Sequence, residues 1–487
     1  MGVIINQSFK NMITTYIGFG IGAVNTLFLF TYFLEQEYYG LVSFLLSAAN
    51  LIWPFIAFGV HSTLVKFFTS YKTRLEREKL LNLVLILPGL VAIILGGIGL
   101  MFYQYLIDYF SGENALVQPY IWLIFLIAAA TAYFEVFFAW SKIYYKSVFG
   151  NFMKEVFQRF CISILLFAVY FKLIGVEFFI YGMSAVFVIR TLIMAAYSFS
   201  LHRPRFQLSF PSNLAPVLKY TVLILLAVSV ATLLLDLDKV MIEYYLPIEN
   251  VAIYGIAVYI ATVISVPQKA MHQIMHPLTA EMLNKEDTRA LEGLYKKSSL
   301  NLLIITGLIF ILIITNVNQL YELIPEEYEI SLLVVLLISL VKLFDNFLGN
   351  NNSILFNSDY YRIVLVVGLV MAVLAFLLNI LFIPRYGING AAIASFIAIG
   401  IYNLAKLFIV FKKFKIHPFT VNTWIIFGTT ALFSLSFYYW DFSFHPLINI
   451  ILKAGLTALF YGGLVYFSGI SKELNLLFNN IIKKLSE

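Results

Sequence analysis

Leu80-Leu-Asn-Leu-Val-Leu-Ile-Leu-Pro-Gly-Leu-Val-Ala-Ile-Ile-Leu-Gly-Gly-Ile-Gly-Leu-Met-Phe-Tyr-Gln104 carries no charged side chain along its length. A helix rises about 1.5 Å per residue and the hydrocarbon of a bilayer is about 30 Å thick, so about 20 such residues span it. In lipid the backbone of such a stretch must be satisfied within the segment, which a helix does. Working outward, runs of the same kind fill the chain. The candidate spans are 11–33, 41–65, 80–104, 119–141, 156–172, 178–200, 216–235, 251–271, 299–316, 330–350, 361–383, 388–410, 421–439 and 446–468. Composition agrees: 61% of the 487 residues are hydrophobic and 12% charged, against about 45–50% and about 25% in a soluble domain. A soluble enzyme, a disordered tail and a nucleic-acid binder are excluded on that ground. The expected fold is an all-α integral membrane protein of about 14 transmembrane helices.

The first run is too long and too polar for a signal peptide, and it reads as a retained helix. The lone Cys161 leaves no disulfide framework and no zinc-finger cluster. Lys and Arg test the span count. With a cytoplasmic N-terminus, most of them fall in inner segments, as in Lys66, Lys72, Arg74, Arg77 and Lys79, or Lys285, Arg289, Lys296 and Lys297. Only Lys172, Lys239 and Arg385 fall outside, whereas Glu322, Glu326, Glu327 and Glu329 make an outer loop acidic. This alternation follows the positive-inside rule and puts both termini in the cytoplasm. The net charge of +6 therefore faces anionic lipid, and nucleic acid is not an expected partner.

A long internal period appears as well. Tyr39-Gly40 and Tyr254-Gly255 open the second and eighth spans, 215 residues apart. The same offset relates Ser47 to Thr262, Asn50 to Ser265 and His61 to His276. Gly175-Val176 and Gly387-Ile388 precede the sixth and twelfth. The reading is two six-helix repeat bundles, 1–200 and 201–415, a terminal helix pair over 416–470 and an amphipathic cytoplasmic tail over 471–487. An even number of spans per half makes the repeat parallel, with the substrate path expected between the halves.

Polar residues line particular faces. The second span aligns Ser43, Ser47, Asn50, Pro54 and His61. The eighth aligns Thr262, Ser265, Lys269, His272 and His276. The tenth places Lys342, Asn346 and Asn350 at spacing four, with Asp345 beside them. Packing between helices favours Gly, Ser and Thr, but Asn, His and Lys at these positions point to a wet cavity. Arg190 and Lys342 lie roughly 18–20 Å inside their spans. Glu135 in the fourth span is a candidate proton or cation site, or a structural partner for Arg190; Asp345 is the second acidic candidate. Lys406, near a helix end, is expected to snorkel. Pro54 and Pro267 are expected to bend their helices.

Several motifs are weak or missing. There is no Walker A loop, so no ATP hydrolysis is expected. His272 and His276 form HxxxH without a following Glu or third ligand, and Asp236-Leu-Asp238 is a bare DxD with no catalytic domain behind it. Neither a metal nor a cofactor is expected.

Four motifs carry a family resemblance: Glu37-Tyr-Tyr-Gly-Leu41, Leu235-Asp-Leu-Asp-Lys-Val240, Val251-Ala-Ile-Tyr-Gly255 and Ile383-Pro-Arg-Tyr-Gly-Ile-Asn-Gly-Ala-Ala392. With them the chain resembles the O-antigen or capsule repeat-unit flippases of polysaccharide biosynthesis, in the multidrug/oligosaccharidyl-lipid/polysaccharide exporter superfamily. The resemblance covers essentially the whole chain. It implies a bacterial inner-membrane protein, not an enzyme. The implied cargo is undecaprenyl-diphosphate-linked oligosaccharide, moved from inner to outer leaflet by alternating access. Implied partners are membrane lipids and the glycan polymerase and glycosyltransferases of the same pathway. On that reading Arg190, Lys269, Lys342, Asn50, His61, His272 and Asn346 line the substrate cavity, and Glu135 and Asp345 serve ion coupling. A cation-coupled multidrug antiporter of the same fold, a peptidoglycan-precursor flippase and a membrane polymerase or ligase are the alternatives. The last usually needs a larger outer loop than the longest here, 236–250.

Overall fold

The computed structural model describes residues 2–110, 114–205, 209–476 and 479. Among them every regular element is helical. The protein is an all-α integral membrane protein, as its composition requires. We number the helices by span. α1 is Lys10–Phe33, α2 is Gln36–Ala57 continued by Val60–Phe68, α3 is Arg74–Met101 and α4 is Ala115–Ile143. α5 covers 147–170, α6 is Val176–Leu201 and α7 is Leu214–Tyr245. α8 joins Glu249–Thr262 to Val266–Asn284, α9 is Thr288–Tyr321 and α10 is Leu332–Phe347. α11 and α12 are the two limbs of Tyr361–Phe414, α13 is Val421–Tyr438 and α14 is Pro446–Ser468.

Among the described residues ten helices are long and apolar enough to cross a membrane. The difference from fourteen has local causes. α11 and α12 count once because helical hydrogen bonding runs on through their kink at Gly387, whose φ of 57° and ψ of −140° only glycine adopts readily. α10 has 16 residues. α5 carries Lys154, Glu155 and Arg159. α13 has only 18 residues, among them Asn422, Thr423, Thr429, Thr430, Ser434 and Ser436. Two expected loops are corrected. α7 continues through Asp236 and Asp238 to Tyr245, so 236–250 is largely helix. α9 runs on to Tyr321, into the segment expected as an outer loop over 317–329.

Each proline lies close to a helix irregularity. Pro54 sits one turn before a break at Phe58 (φ 48°) and Gly59 (φ 75°). A Cβ on Gly59 would drive into the Thr221 carbonyl oxygen of α7. Glycine there is set by close approach as well as by backbone angle. Pro267 lies in the first turn of Val266–Asn284, after a 3₁₀ turn over Val263–Ser265.

The chain forms two compact units, Met1–Gly255 with Asn379–Gly387, and Ile256–Leu378 with Ile388–Glu487. In the first, α6 lies along α4. Thr191 and Ser198, seven residues apart, donate to the carbonyls of Ala130 and Phe137 at 2.7 and 2.8 Å. The matched spacing of seven shows that the two helices run in the same direction. α7 also belongs to this unit, past residue 200, with Thr221 Oγ1 2.9 Å from Thr63 Oγ1 of α2. In the second unit α9 is the central post, against which α13 and α14 pack. Tyr461 of α14 donates to the Ile304 carbonyl at 3.2 Å. The tail expected over 471–487 lies mostly outside the described residues. Of its start, Ser471 bonds Asn301 at 2.7 Å and Glu473 pairs with Lys297 at 2.8 Å.

Candidate functional site

The deepest charges of the first unit meet where α4, α5 and α6 pack. Hydrogen bonding in α5 loosens into a π-helical turn over Met153–Phe157, a local widening often found at functional positions. Lys154 sits on that turn, and its Nζ is 2.5 Å from Oε1 of Glu135 on α4. Arg190 on α6 is buried, 3% exposed. It donates to the Gln158 side-chain oxygen, and its guanidinium lies 4.1 Å from the Phe134 ring centre and 5.0 Å from that of Phe187. Its Nε is buried without a hydrogen-bond partner. Lys142 stands over the Phe138 ring at 3.8 Å. His61 of α2 completes the group; its Nδ1 is buried and unpartnered and its ring lies 5.8 Å from Trp53. Glu135, Lys142 and Lys154 all act on His61 electrostatically. Glu155, on the same π turn, acts on Lys154 and Arg190 as well and is paired with Arg159 at 3.5 Å. Four cations thus share two carboxylates; Arg190 and Glu135 are buried, where excess positive charge is costly unless an anion joins it, while Lys142 and Lys154 are exposed.

A second cluster in the same unit lies between α2 and α7. Asp236 accepts from Ser47 Oγ at 3.1 Å and Asn50 Nδ2 at 3.3 Å, and Lys239 Nζ is 3.5 Å away. Asn50 is exposed. Two residues on, Asp238 is buried and bonded to Tyr254 Oη at 2.5 Å and Asn379 Nδ2 at 2.8 Å. The two acids of the DxD sequence therefore face different neighbours.

In the second unit Asp345 on α10 pairs with Lys406 of α12 at 3.2 Å, and Lys406 also reaches Asn352 at 3.1 Å. Gln268 donates to the Asp345 backbone carbonyl at 3.2 Å. Lys406 is 3% exposed, which corrects the expectation that it snorkels to its helix end. Lys342 is half-buried one turn before Asp345, and Lys269 is exposed. His272 faces Ser353 at 3.5 Å, and its ring lies beside that of His276, tilted by 40° with 5.7 Å between centres. Asn346 bonds back to the Lys342 carbonyl at 2.6 Å, leaving its Oδ1 buried and unpartnered.

Of the residues singled out in the sequence, Arg190, Glu135 and His61 come together. Asn50 belongs to the Asp236 cluster. Asp345 and Lys342 share α10 with Asn346, and His272 is on α8 of that unit. Sequence reading missed Lys154, Gln158, Lys406 and Asp236. For Lys154 it placed the residue in a loop; for Lys406 and Asp236 it placed them at helix ends. The continuity of α5 and α7 was the signal it lacked. Among the described residues no group of three or more His, Cys, Asp or Glu forms a metal site.

In fold the chain is similar to the lipid II flippase MurJ in its inward closed conformation: TM-score 0.73, 15% identity, covering 95% of this chain and 99% of that one. It is also similar to a transporter of the MOP superfamily from Pyrococcus furiosus, described by the reverse polarity of its binding pocket (TM-score 0.60, 13% identity, 85% and 95% covered). A Vibrio cholerae MATE transporter, VcmN, matches with TM-score 0.57 and 16% identity over 90% and 100% of the two chains. No family model matches the chain, and no curated protein matches it in sequence. At these identities the likeness establishes the fold, one shared by a lipid flippase and by multidrug transporters.

Proposed function

We propose that the protein is a flippase for undecaprenyl-diphosphate-linked oligosaccharide, moving it from the inner to the outer leaflet of the bacterial cytoplasmic membrane for cell-surface polysaccharide synthesis. Transport is by alternating access of two repeat halves, 1–200 and 201–415, with the pair 416–470 appended and both termini cytoplasmic. The chain is read as a carrier rather than an enzyme, working beside the glycosyltransferases and polymerase that make and use its cargo. One observation carries this reading: a buried Arg190 with an unpartnered Nε, in a group where Arg190, Lys154, Lys142 and Arg159 outnumber the carboxylates Glu135 and Glu155. A diphosphate supplies the missing negative charge, and a guanidinium fork suits its oxygens. The isoprenoid needs no help, because it stays in lipid. A cationic drug is disfavoured by the same charge.

Lys269 and Lys342 add positive charge in the second unit, and Asn346 and His272 offer polar contacts there. Glu135 and Asp345 are the acids available for coupling, and each lies beside a lysine. A peptidoglycan precursor is the second reading. It is favoured by the TM-score of 0.73 to a lipid II flippase against 0.60 and 0.57 to the two transporters, and it shares the undecaprenyl diphosphate.

The test is leaflet-resolved flipping in liposomes. Wild-type protein is expected to expose lipid-diphosphate-linked oligosaccharide on the far leaflet. Arg190→Ala is expected to lose at least tenfold in rate with normal insertion, and Arg190→Lys to keep part of it; one lost charged hydrogen bond of about 1.5–3 kcal/mol gives a change of that order. Normal flipping by Arg190→Ala sinks the basic-site reading.

A further inference from the structure

We propose that the α2–α7 cluster is a glycan-reading subsite, in which Asp236, Asn50 and Trp53 contact sugar hydroxyls and a sugar ring while the Arg190 cluster holds the diphosphate. This rests on the flippase reading above and adds which face of the first unit meets the sugar.

The first argument is depth. Asn50 lies 14 residues inside α2, which begins at Gln36, or roughly 21 Å along the axis. Asp236 lies nine residues before the end of α7 at Tyr245, or roughly 14 Å. Asn50 is exposed, and its partner is a carboxylate. An exposed amide bound to a charge at that depth is prohibitive against hydrocarbon. The face it occupies must therefore meet water or a polar ligand.

Charge supplies the second argument. Around Glu135 the cations Arg190, Lys154, Lys142 and Arg159 outnumber the carboxylates Glu135 and Glu155. Around Asp236 one carboxylate faces one ammonium, Lys239 at 3.5 Å, and two neutral donors, Ser47 and Asn50. That group is neutral overall and presents oxygen acceptors. A diphosphate meets repulsion at such a carboxylate, whereas a sugar hydroxyl donates to it, and Asn50 and Lys239 donate to sugar oxygens in return.

Geometry is the third. Trp53 follows Asn50 by three residues, the spacing that puts two side chains on neighbouring positions of one helix face. It is half-buried, and its ring lies 5.8 Å from His61 of the basic cluster. An indole is a broad apolar platform with one polar edge, suited to the C–H face of a sugar ring. From Asn50 through Trp53 to His61 the side of α2 thus passes from neutral acceptors to an aromatic platform to the cationic group, the order of a glycan followed by its diphosphate.

The experiment measures binding in nanodiscs to two probes, undecaprenyl diphosphate and the same lipid carrying a neutral tetrasaccharide. Asp236→Asn, Asn50→Ala and Trp53→Leu are each expected to weaken the glycan-bearing lipid at least tenfold and to leave bare undecaprenyl diphosphate within twofold. Arg190→Ala is expected to weaken both. The Tm of each variant without ligand reports folding, and Asp236→Asn keeps the size of the side chain while removing its charge and one acceptor oxygen, should the others unfold. Equal weakening of both probes, or no change in either, overturns the subsite and leaves the flippase reading standing. Wild-type protein that binds neither probe overturns both.

Discussion

On the proposed six-helix repeat, the acid–base groups of the two units fall on corresponding helices, and their charges are paired differently. In the first, α4 supplies Glu135 and α6 supplies Arg190. In the second, α10 supplies Asp345 and α12 supplies Lys406. Lys406 closes directly on Asp345 at 3.2 Å and is steadied by Asn352. Arg190 does not close on Glu135 in this way, because Lys154, on the π turn of α5, holds that carboxylate at 2.5 Å. Arg190 is left to a neutral glutamine and two ring faces. The lesson is that one extra cation on a bulged helix converts a self-satisfied pair into a group short of negative charge. The first arrangement is suited to an anionic ligand; the second is suited to holding α10 against α12.

The largest expected effect is at the closed pair. Lys406→Ala leaves Asp345 beside only the more distant Lys342, and breaking a buried pair costs about 3–5 kcal/mol. We expect a large fall in Tm and in inserted protein. Adding Asp345→Asn should recover most of it, since the stranded charge is gone. A single variant as stable as wild type breaks the comparison.

A smaller effect is expected at Glu135→Gln. Lys154, the partner left behind, is exposed and keeps Glu155 nearby, so folded protein should survive with a stability loss of about 1–3 kcal/mol, read as a lowered Tm. Flipping separates the two roles of Glu135. A coupling carboxylate loses gradient-driven transport and keeps slow downhill exchange, whereas a carboxylate that only positions Lys154 loses both together. Wild-type flipping with the gradient intact removes both roles.

The smallest perturbation is a labelling test of depth. The comparison requires both groups to lie toward the same side of the membrane, which holds only if an even number of spans separates them. With Cys161 replaced by Ser, Glu326→Cys in the exposed turn after α9 should react with an impermeant reagent from outside only, at unchanged stability. Reaction from the cytoplasm alone sinks the parallel repeat.

Much of this was legible in the residues themselves. Runs such as 80–104 decide the solvent, because about 20 uncharged residues have one stable home. Pro267 foretells the 3₁₀ turn before it in α8, since a missing N–H and a ring clash act on the preceding turn, and Gly59 permits the left-handed break in α2. Arg190 and Glu135 stand out because an ionisable group inside a membrane span is expensive. What a charge pairs with is another matter. Glu135 has Lys154 and not Arg190 as its near partner, Lys406 turns inward to Asp345 rather than outward to the headgroups, and Asp236 and Asp238, two residues apart, belong to separate networks. Those choices depend on helix rotation and on one extra residue in a π turn, which move a side chain by ångströms while leaving hydropathy unchanged. Burial is a property that each stretch carries along the chain; partnership is set only when the stretches pack.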